Sequence, residues 1–181
     1  TLKKYNVVPV EYLFVNDAVI HTKDVTYAYL ETKDNIVSYK IYQPYASKDR
    51  KWLTNTNYTV HQGYRQLPPE GKTLVITKSL KDVMSLYDVT GYSSIGLQSE
   101  SVTIKQTVLD EYKRRFRNIV CLFDNDRRGR EFTETFCGQC NLSYMFMPEI
   151  EGVTDFSDLV KVKGIEEAKT ILKTIIDEIK Q

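Results

Sequence analysis

The stretch Cys121-Leu122-Phe123-Asp124-Asn125-Asp126-Arg127-Arg128-Gly129-Arg130 decides how this chain is read. The apolar run 118–123 predicts a buried strand, and a helix-like stretch follows it. The strand ends in two aspartates one residue apart. In extended backbone, residues i and i+2 point to the same side, so Asp124 and Asp126 can aim both carboxylates at one point beyond the strand's end. Hard oxygen ligands placed there suit Mg²⁺, which takes one or two carboxylates together with substrate phosphates. The local alternative is that Asp126 caps the following helix while Asp124 sits in a turn.

Working outward, short apolar strands alternate with helices. Strands are expected over 74–77, 94–97, 118–123 and 142–147. Helices are expected over 80–87, 103–116, 128–136 and 165–179, with Gly91 as a stop. This alternation predicts an α/β unit with a central, mainly parallel four-stranded sheet. Ligands in such sheets bind off the carboxyl ends of the strands. Those ends bring Lys78, Glu100 and the Asp124/Asp126 pair, and Asp155-Phe156-Ser157-Asp158 follows the fourth strand. Acidic groups from separate segments thus gather at one edge, which capping alone does not explain. Glu100 can place a carboxylate near that edge, or simply begin a helix beside Ser99 and Ser101.

Residues 1–70 read differently. They are rich in Tyr, Val, Thr and Asn, and 27–30 and 36–42 predict two strands joined by a turn at Lys33-Asp34-Asn35. A small β-rich, α+β module is expected there. Leu67-Pro68-Pro69-Glu70-Gly71 breaks regular structure and sets the expected boundary, giving modules 1–70 and 71–181.

Composition narrows the function classes. At 181 residues the chain can bury a real core. A net charge of +1 excludes a global basic field, so any nucleic-acid contact must be local. Three cysteines offer no disulfide framework and point to a reducing compartment. Cys137-Gly138-Gln139-Cys140 has CxxC spacing but no second ligand pair, so zinc is not expected. No stretch is long and apolar enough to span a bilayer, and no membrane partner is expected. The chain begins at Thr1, which suggests a piece of a longer protein.

Together the motif segments resemble the TOPRIM domain shared by DnaG-type primases, topoisomerases and some nucleases. That family's pattern is a strand ending in E-G-x-x-D, a D-x-D strand end with a following glycine, and a later D-x-x-D-L. Here these stand as Lys78-Ser79-Leu80-Lys81-Asp82, Asp124-Asn125-Asp126 with Gly129, and Asp155-Phe156-Ser157-Asp158-Leu159. Order and spacing fit over 73–160. Phe123-Asp124-Asn125-Asp126 resembles the primase branch most, bacteriophage members included. Primases also carry a K-Y-L-N-like segment just before TOPRIM. Lys51-Trp52-Leu53-Thr54-Asn55, followed by His61-Gln62-Gly63, matches it more loosely, with one extra residue before the asparagine.

The resemblance implies a DNA primase catalytic core, a nucleotidyltransferase that makes RNA primers on single-stranded DNA from nucleoside triphosphates. It implies Mg²⁺ or Mn²⁺, a replicative helicase as a partner, and the cytoplasm of a bacterial or phage-infected cell. Asp124 and Asp126 are the expected metal ligands, with Asp155 and Asp158 as further ones. Lys78, Asp82 and Asp124 are the expected catalytic groups. Lys51, Trp52, Asn55, Arg127 and Arg128 are expected to contact nucleotide or template. A cation, a stacking face and an amide suit single strands, where stacking contributes roughly 1–3 kcal/mol per base. The basic run Lys113, Arg114, Arg115 and Arg117 can join Arg127, Arg128 and Arg130 along one phosphate groove.

Two departures stand out. Lys78 and Ser79 replace the family's first-motif Glu-Gly, and Gln62 stands where a basic residue is expected. Lys78 can pair with a nucleotide phosphate as a point charge, or form an ion pair with Asp124 that fills a vacant cation position. Asp82 can favour its helix dipole, or orient a ligand or metal-bound water. Two other functions stay open: a degenerate TOPRIM module that binds nucleic acid or a replication partner without catalysis, and a TOPRIM nuclease.

Overall fold

The computed structural model describes the chain except residues 16, 23, 56, 58, 99–102, 180 and 181 and the side chains of 15, 178 and 179. Glu100 therefore lies outside the described residues. The chain divides into two units, Thr1–Val60 and His61–Gln181.

The first unit is all β. Strands β1 (Val7–Pro9), β4 (Tyr27–Lys33), β5 (Ile36–Tyr42) and β6 (Trp52–Thr54) form an antiparallel sheet in the order β1-β4-β5-β6. Strands β2 (Tyr12–Val15) and β3 (Ala18–His21) make a separate hairpin. Asp34 and Asn35 have φ of 49° and 66° between the paired Lys33 and Ile36. Two left-handed residues in a row match the twist of the flanking strands, which is why a two-residue turn closes this hairpin.

The second unit is a three-layer α/β fold. Its elements are β7 (Gly71–Thr77), α1 (Leu80–Thr90), β8 (Ser93–Gly96), α2 (Gln106–Arg115), β9 (Phe116–Cys121), α3 (Arg127–Cys140), β10 (Ser143–Tyr144), α4 (Phe156–Lys163) and α5 (Ile165–Ile179). The sheet is parallel throughout, in the order β10-β9-β7-β8. This is the expected four-stranded sheet. Its strands are apolar on both faces because both are covered. Leu74 and Ile76 of β7, with Ile119 and Cys121 of β9, pack with Leu109, Tyr112 and Phe136 from α2 and α3. The alternate residues Val75 and Val120 pack on the opposite face with Leu86 of α1, Phe156 and Leu159 of α4, and Leu172 and Ile176 of α5. The helix 156–163 was not expected from the sequence. Among the described residues no helix is long and apolar enough to cross a membrane.

Residues 61–70 belong to the second unit, so the division falls ten residues before the expected boundary. The reason is a set of long-range contacts. Gln62 and Gly96 exchange backbone hydrogen bonds of 3.0 and 2.9 Å along the outer edge of β8. The ring of buried His61 lies with Nδ1 2.7 Å from the Tyr112 hydroxyl. The Arg115 guanidinium donates to the carbonyls of Leu67, Pro68 and Pro69.

Candidate functional site

Strands β7 and β9 are neighbours, yet the chain leaves them in opposite directions. From β7 it enters α1 on one face, and from β9 it enters α3 on the other. That divergence opens a crevice beyond the carboxyl ends, the topological switch point of a doubly wound sheet. Lys78 follows β7 and Asp124 follows β9, so both stand at the crevice. Lys78 Nζ donates to Asp124 Oδ2 at 2.6 Å.

Three helix starts surround this pair. Ser79 caps α1; its hydroxyl accepts from the Asp82 amide at 3.3 Å and donates to Asp82 Oδ2 at 2.6 Å. Asp126 caps α3, with its Oδ1 accepting from the Gly129 amide at 2.7 Å. Asp155 caps α4, with its Oδ1 accepting from the Asp158 amide at 2.8 Å and from the Ser157 hydroxyl at 2.7 Å. These caps satisfy donors that each helix start leaves unpaired.

The carboxylates of Asp82, Asp124 and Asp155 each bring an oxygen within 4.8 Å of the other two. Asp126 and Asp158 are placed otherwise. Asp126 is exposed and engaged in its cap, while Asp158 Oδ2 accepts from the Thr154 hydroxyl at 2.7 Å. Oxygen donors from three chain segments are the right chemistry for a hard divalent cation. Two of the three already hold an ammonium group: Lys78 on Asp124, and Lys81 on Asp155 at 2.8 Å.

Charge within the cluster is uneven. Burial, then the nearby Asp155 charge, push the Asp82 carboxyl up to about 7. Asp82 is 1% exposed. Burial also acts to raise Asp155, but hydrogen bonds from Lys81, Ser157 and the Asp158 amide outweigh it and hold that carboxyl below the usual range. Lys81 is raised: burial opposes its charge, and Asp155 more than restores it. Of the two carboxyls, Asp82 is therefore the one that holds a proton more readily.

Asn125 has a part the sequence did not disclose. Its amide nitrogen donates to the Thr154 carbonyl at 2.6 Å and its Nδ2 to the Met147 carbonyl at 3.0 Å. It thereby ties the second motif to the loop that carries the third. Gly129 packs so closely that a Cβ there would lie 2.1 Å from the Asp124 carbonyl oxygen.

The basic residues do not form one groove. Lys113, Arg114 and Arg117 flank the amino end of β9, lining a cleft of about 570 Å³ with Lys72, whereas Arg127 and Arg128 lie past its carboxyl end. Arg127 and Arg128 are exposed, and Arg127 Nε lies 3.8 Å from Glu131. Gln62 is buried, in the strand-edge pairing described above.

In the first unit, Trp52 stacks on Tyr42 with ring centres 4.4 Å apart. Lys40 Nζ lies 5.7 Å from the Trp52 ring, and Lys51 Nζ 5.7 Å from the Tyr42 ring. Trp52 remains 44% exposed. Asn55 extends the sheet, its Oδ1 accepting from the Tyr39 amide at 2.8 Å.

Comparison with known proteins agrees with this architecture. Residues 75–160 match the Toprim-like family model. No curated protein sequence matches the chain. Among solved structures, the primase fragment of the bacteriophage T7 primase-helicase protein aligns over 97% of this chain and 69% of its own, at 20% identity and TM-score 0.62. The DnaG primase catalytic domain bound to single-stranded DNA aligns over 96% of this chain and 59% of its own, at 14% identity and TM-score 0.67. The Escherichia coli primase catalytic core aligns over 95% and 58%, at 17% identity and TM-score 0.61. The chain thus spans less than two-thirds of the DnaG and E. coli chains. Residues 75–160 are similar to the Toprim-like family, and the chain shares its fold with DnaG-type primase catalytic cores.

Proposed function

We propose that this chain is the catalytic core of a primase, joining nucleoside triphosphates into RNA on a single-stranded DNA template. The observation that carries this reading is the meeting of Asp82, Asp124 and Asp155 at the sheet's switch point, one from each of the three TOPRIM segments. Asp124 and Asp155, with Asp82 once deprotonated, would hold Mg²⁺ or Mn²⁺ there. Such an ion stabilises charge on phosphate oxygens during nucleotidyl transfer. The protein's own part is placement. Ser79 and the Ser157 amide fix Asp82, Lys81 fixes Asp155, and Asn125 ties the segments together. Lys78 supplies a positive charge for phosphate. Asp126 and Asp158 support this arrangement through the starts of α3 and α4. The exposed Trp52 face, flanked by Lys40 and Lys51, suits an unpaired base. Arg127 and Arg128, exposed at the start of α3, would reach template phosphates. A replicative helicase is the proposed partner.

The Lys78–Asp124 ion pair favours a second reading, a TOPRIM module that binds without catalysis. Primer synthesis distinguishes the two. The protein is incubated with single-stranded DNA, nucleoside triphosphates and Mg²⁺ or Mn²⁺. Short RNA products that vanish in Asp124→Asn support the primase. Template binding with no product under either ion supports the binding module.

A further inference from the structure

We propose that Lys78 gates the acidic cluster: its ammonium holds Asp124 until a nucleoside triphosphate draws it away, so the divalent cation and the nucleotide bind as a coupled pair. This rests on the reading that the cluster takes both a cation and a nucleotide.

The geometry sets up the exchange. Lys78 Nζ contacts Asp124 Oδ2 at 2.6 Å, with the side chains 33% and 17% exposed. The pair stands at the rim of the crevice, where one partner can move without breaking the core. Lys81 covers Asp155 in the same way at 2.8 Å. Two ammonium groups thus offset two of the three carboxylates, and a divalent cation arriving alone meets a cluster already balanced.

A polyanionic triphosphate changes that balance. It offers Lys78 a more strongly charged partner than one carboxylate, within reach of a flexible four-carbon stem. An ammonium is a rotatable point charge without the fixed fork of a guanidinium, so it can change partners without a matched geometry. Once it turns to phosphate, Asp124 is released to the cation. Lysine and aspartate each keep a partner of opposite sign throughout: lysine–aspartate becomes lysine–phosphate and cation–aspartate. Nothing in this exchange requires the backbone of β7 or β9 to move.

Binding measurements test the gate without relying on synthesis. Mn²⁺ affinity is measured by paramagnetic resonance of the free ion, and affinity for a non-hydrolysable triphosphate analogue by calorimetry with and without Mn²⁺. For the wild type, Mn²⁺ alone should bind weakly, and it should strengthen analogue binding by about tenfold or more, within the usual range of coupling between two ligands. Lys78→Met keeps the stem and removes the charge. It should strengthen binding of Mn²⁺ alone, weaken the analogue and reduce the coupling. Lys78→Glu should strengthen Mn²⁺ alone further still, and melting curves establish that each variant is folded. If Mn²⁺ alone binds both variants as it binds the wild type, the gate is wrong while the primase reading stands. If the wild type binds neither Mn²⁺ nor the analogue, both are wrong.

Discussion

Replacing Gly129 by alanine tests how tightly the second motif is built. A Cβ at this position would lie 2.1 Å from the Asp124 carbonyl oxygen, 2.7 Å from its carbonyl carbon and 2.9 Å from its Cβ. Two of these are backbone atoms, which cannot rotate aside. Either the first turn of α3 retreats or the peptide after Asp124 shifts. Overpacking of this kind costs about 1–3 kcal/mol. Retreat of the turn also pulls the Gly129 amide from its 2.7 Å bond to Asp126, and losing a cap costs about 1 kcal/mol more. The sum is about 2–4 kcal/mol, or a fall in melting temperature of about 4–16 °C for a chain of this length. Gly138 in the same helix is the control, since nothing lies within 4 Å of a Cβ there. Gly138→Ala should instead stabilise the helix by about 0.5–1 kcal/mol. Thermal and urea unfolding followed by circular dichroism compare the two variants directly. A Gly129→Ala protein that melts at or above the wild-type temperature would refute the close approach.

Other consequences can be measured in the same way. Burial raises Asp82 to about 7, so between its unfolded value of 3.8 and 7 the folded state holds more protons than the unfolded state. Its stabilising contribution is complete below the unfolded value and is lost as pH rises through about 7. The change is on the order of 4 kcal/mol. Asp155, held low, acts in the opposite sense at more acid pH; Asp82→Asn isolates the first effect and should flatten the fall of the urea midpoint towards neutral pH. An unchanged pH profile in that variant would place the proton elsewhere. Tyr112→Phe removes the buried hydroxyl 2.7 Å from His61 and should lower stability by about 1–3 kcal/mol, read as a reduced urea midpoint at constant slope. An equal midpoint would show that His61 does not depend on that hydroxyl. Trp52→Ala should weaken single-stranded DNA binding by about 1–3 kcal/mol, measured by fluorescence anisotropy. Equal affinity would move the template off this face.

The sheet was legible in the sequence because β7 and β9 carry short apolar runs, 74–76 and 119–123, each followed by polar residues and a helical pattern. Gly91 announced the end of α1, where it takes φ 71°. Less legible was which aspartates cap helices and which meet. Asp126 and Asp155 each stand three residues before an amide that they accept from, so local spacing treats them alike. They differ in what lies across the crevice: Lys81 and Asp82 reach Asp155, and that contact joins residues more than seventy positions apart. The helix 156–163 was missed because it is short and begins inside a motif read for its acids. The division at 60/61 was hidden for a related reason. Pro68-Pro69 is a strong local break, whereas the partners of His61, Gln62 and 67–69 are Tyr112, Gly96 and Arg115, far along the chain.

That strap bears on how the chain can be cut. A piece starting after Pro69 would respect the most obvious punctuation in the sequence. It would also strip the outer edge of β8 of its two bonds at Gly96, leave the Tyr112 hydroxyl buried without His61, and deprive Arg115 of its three carbonyl acceptors. A piece starting at His61 keeps all three. The smallest transplantable form of this α/β unit therefore carries ten residues from upstream of its first sheet strand, as a splint across an edge that would otherwise be open to pairing with another chain.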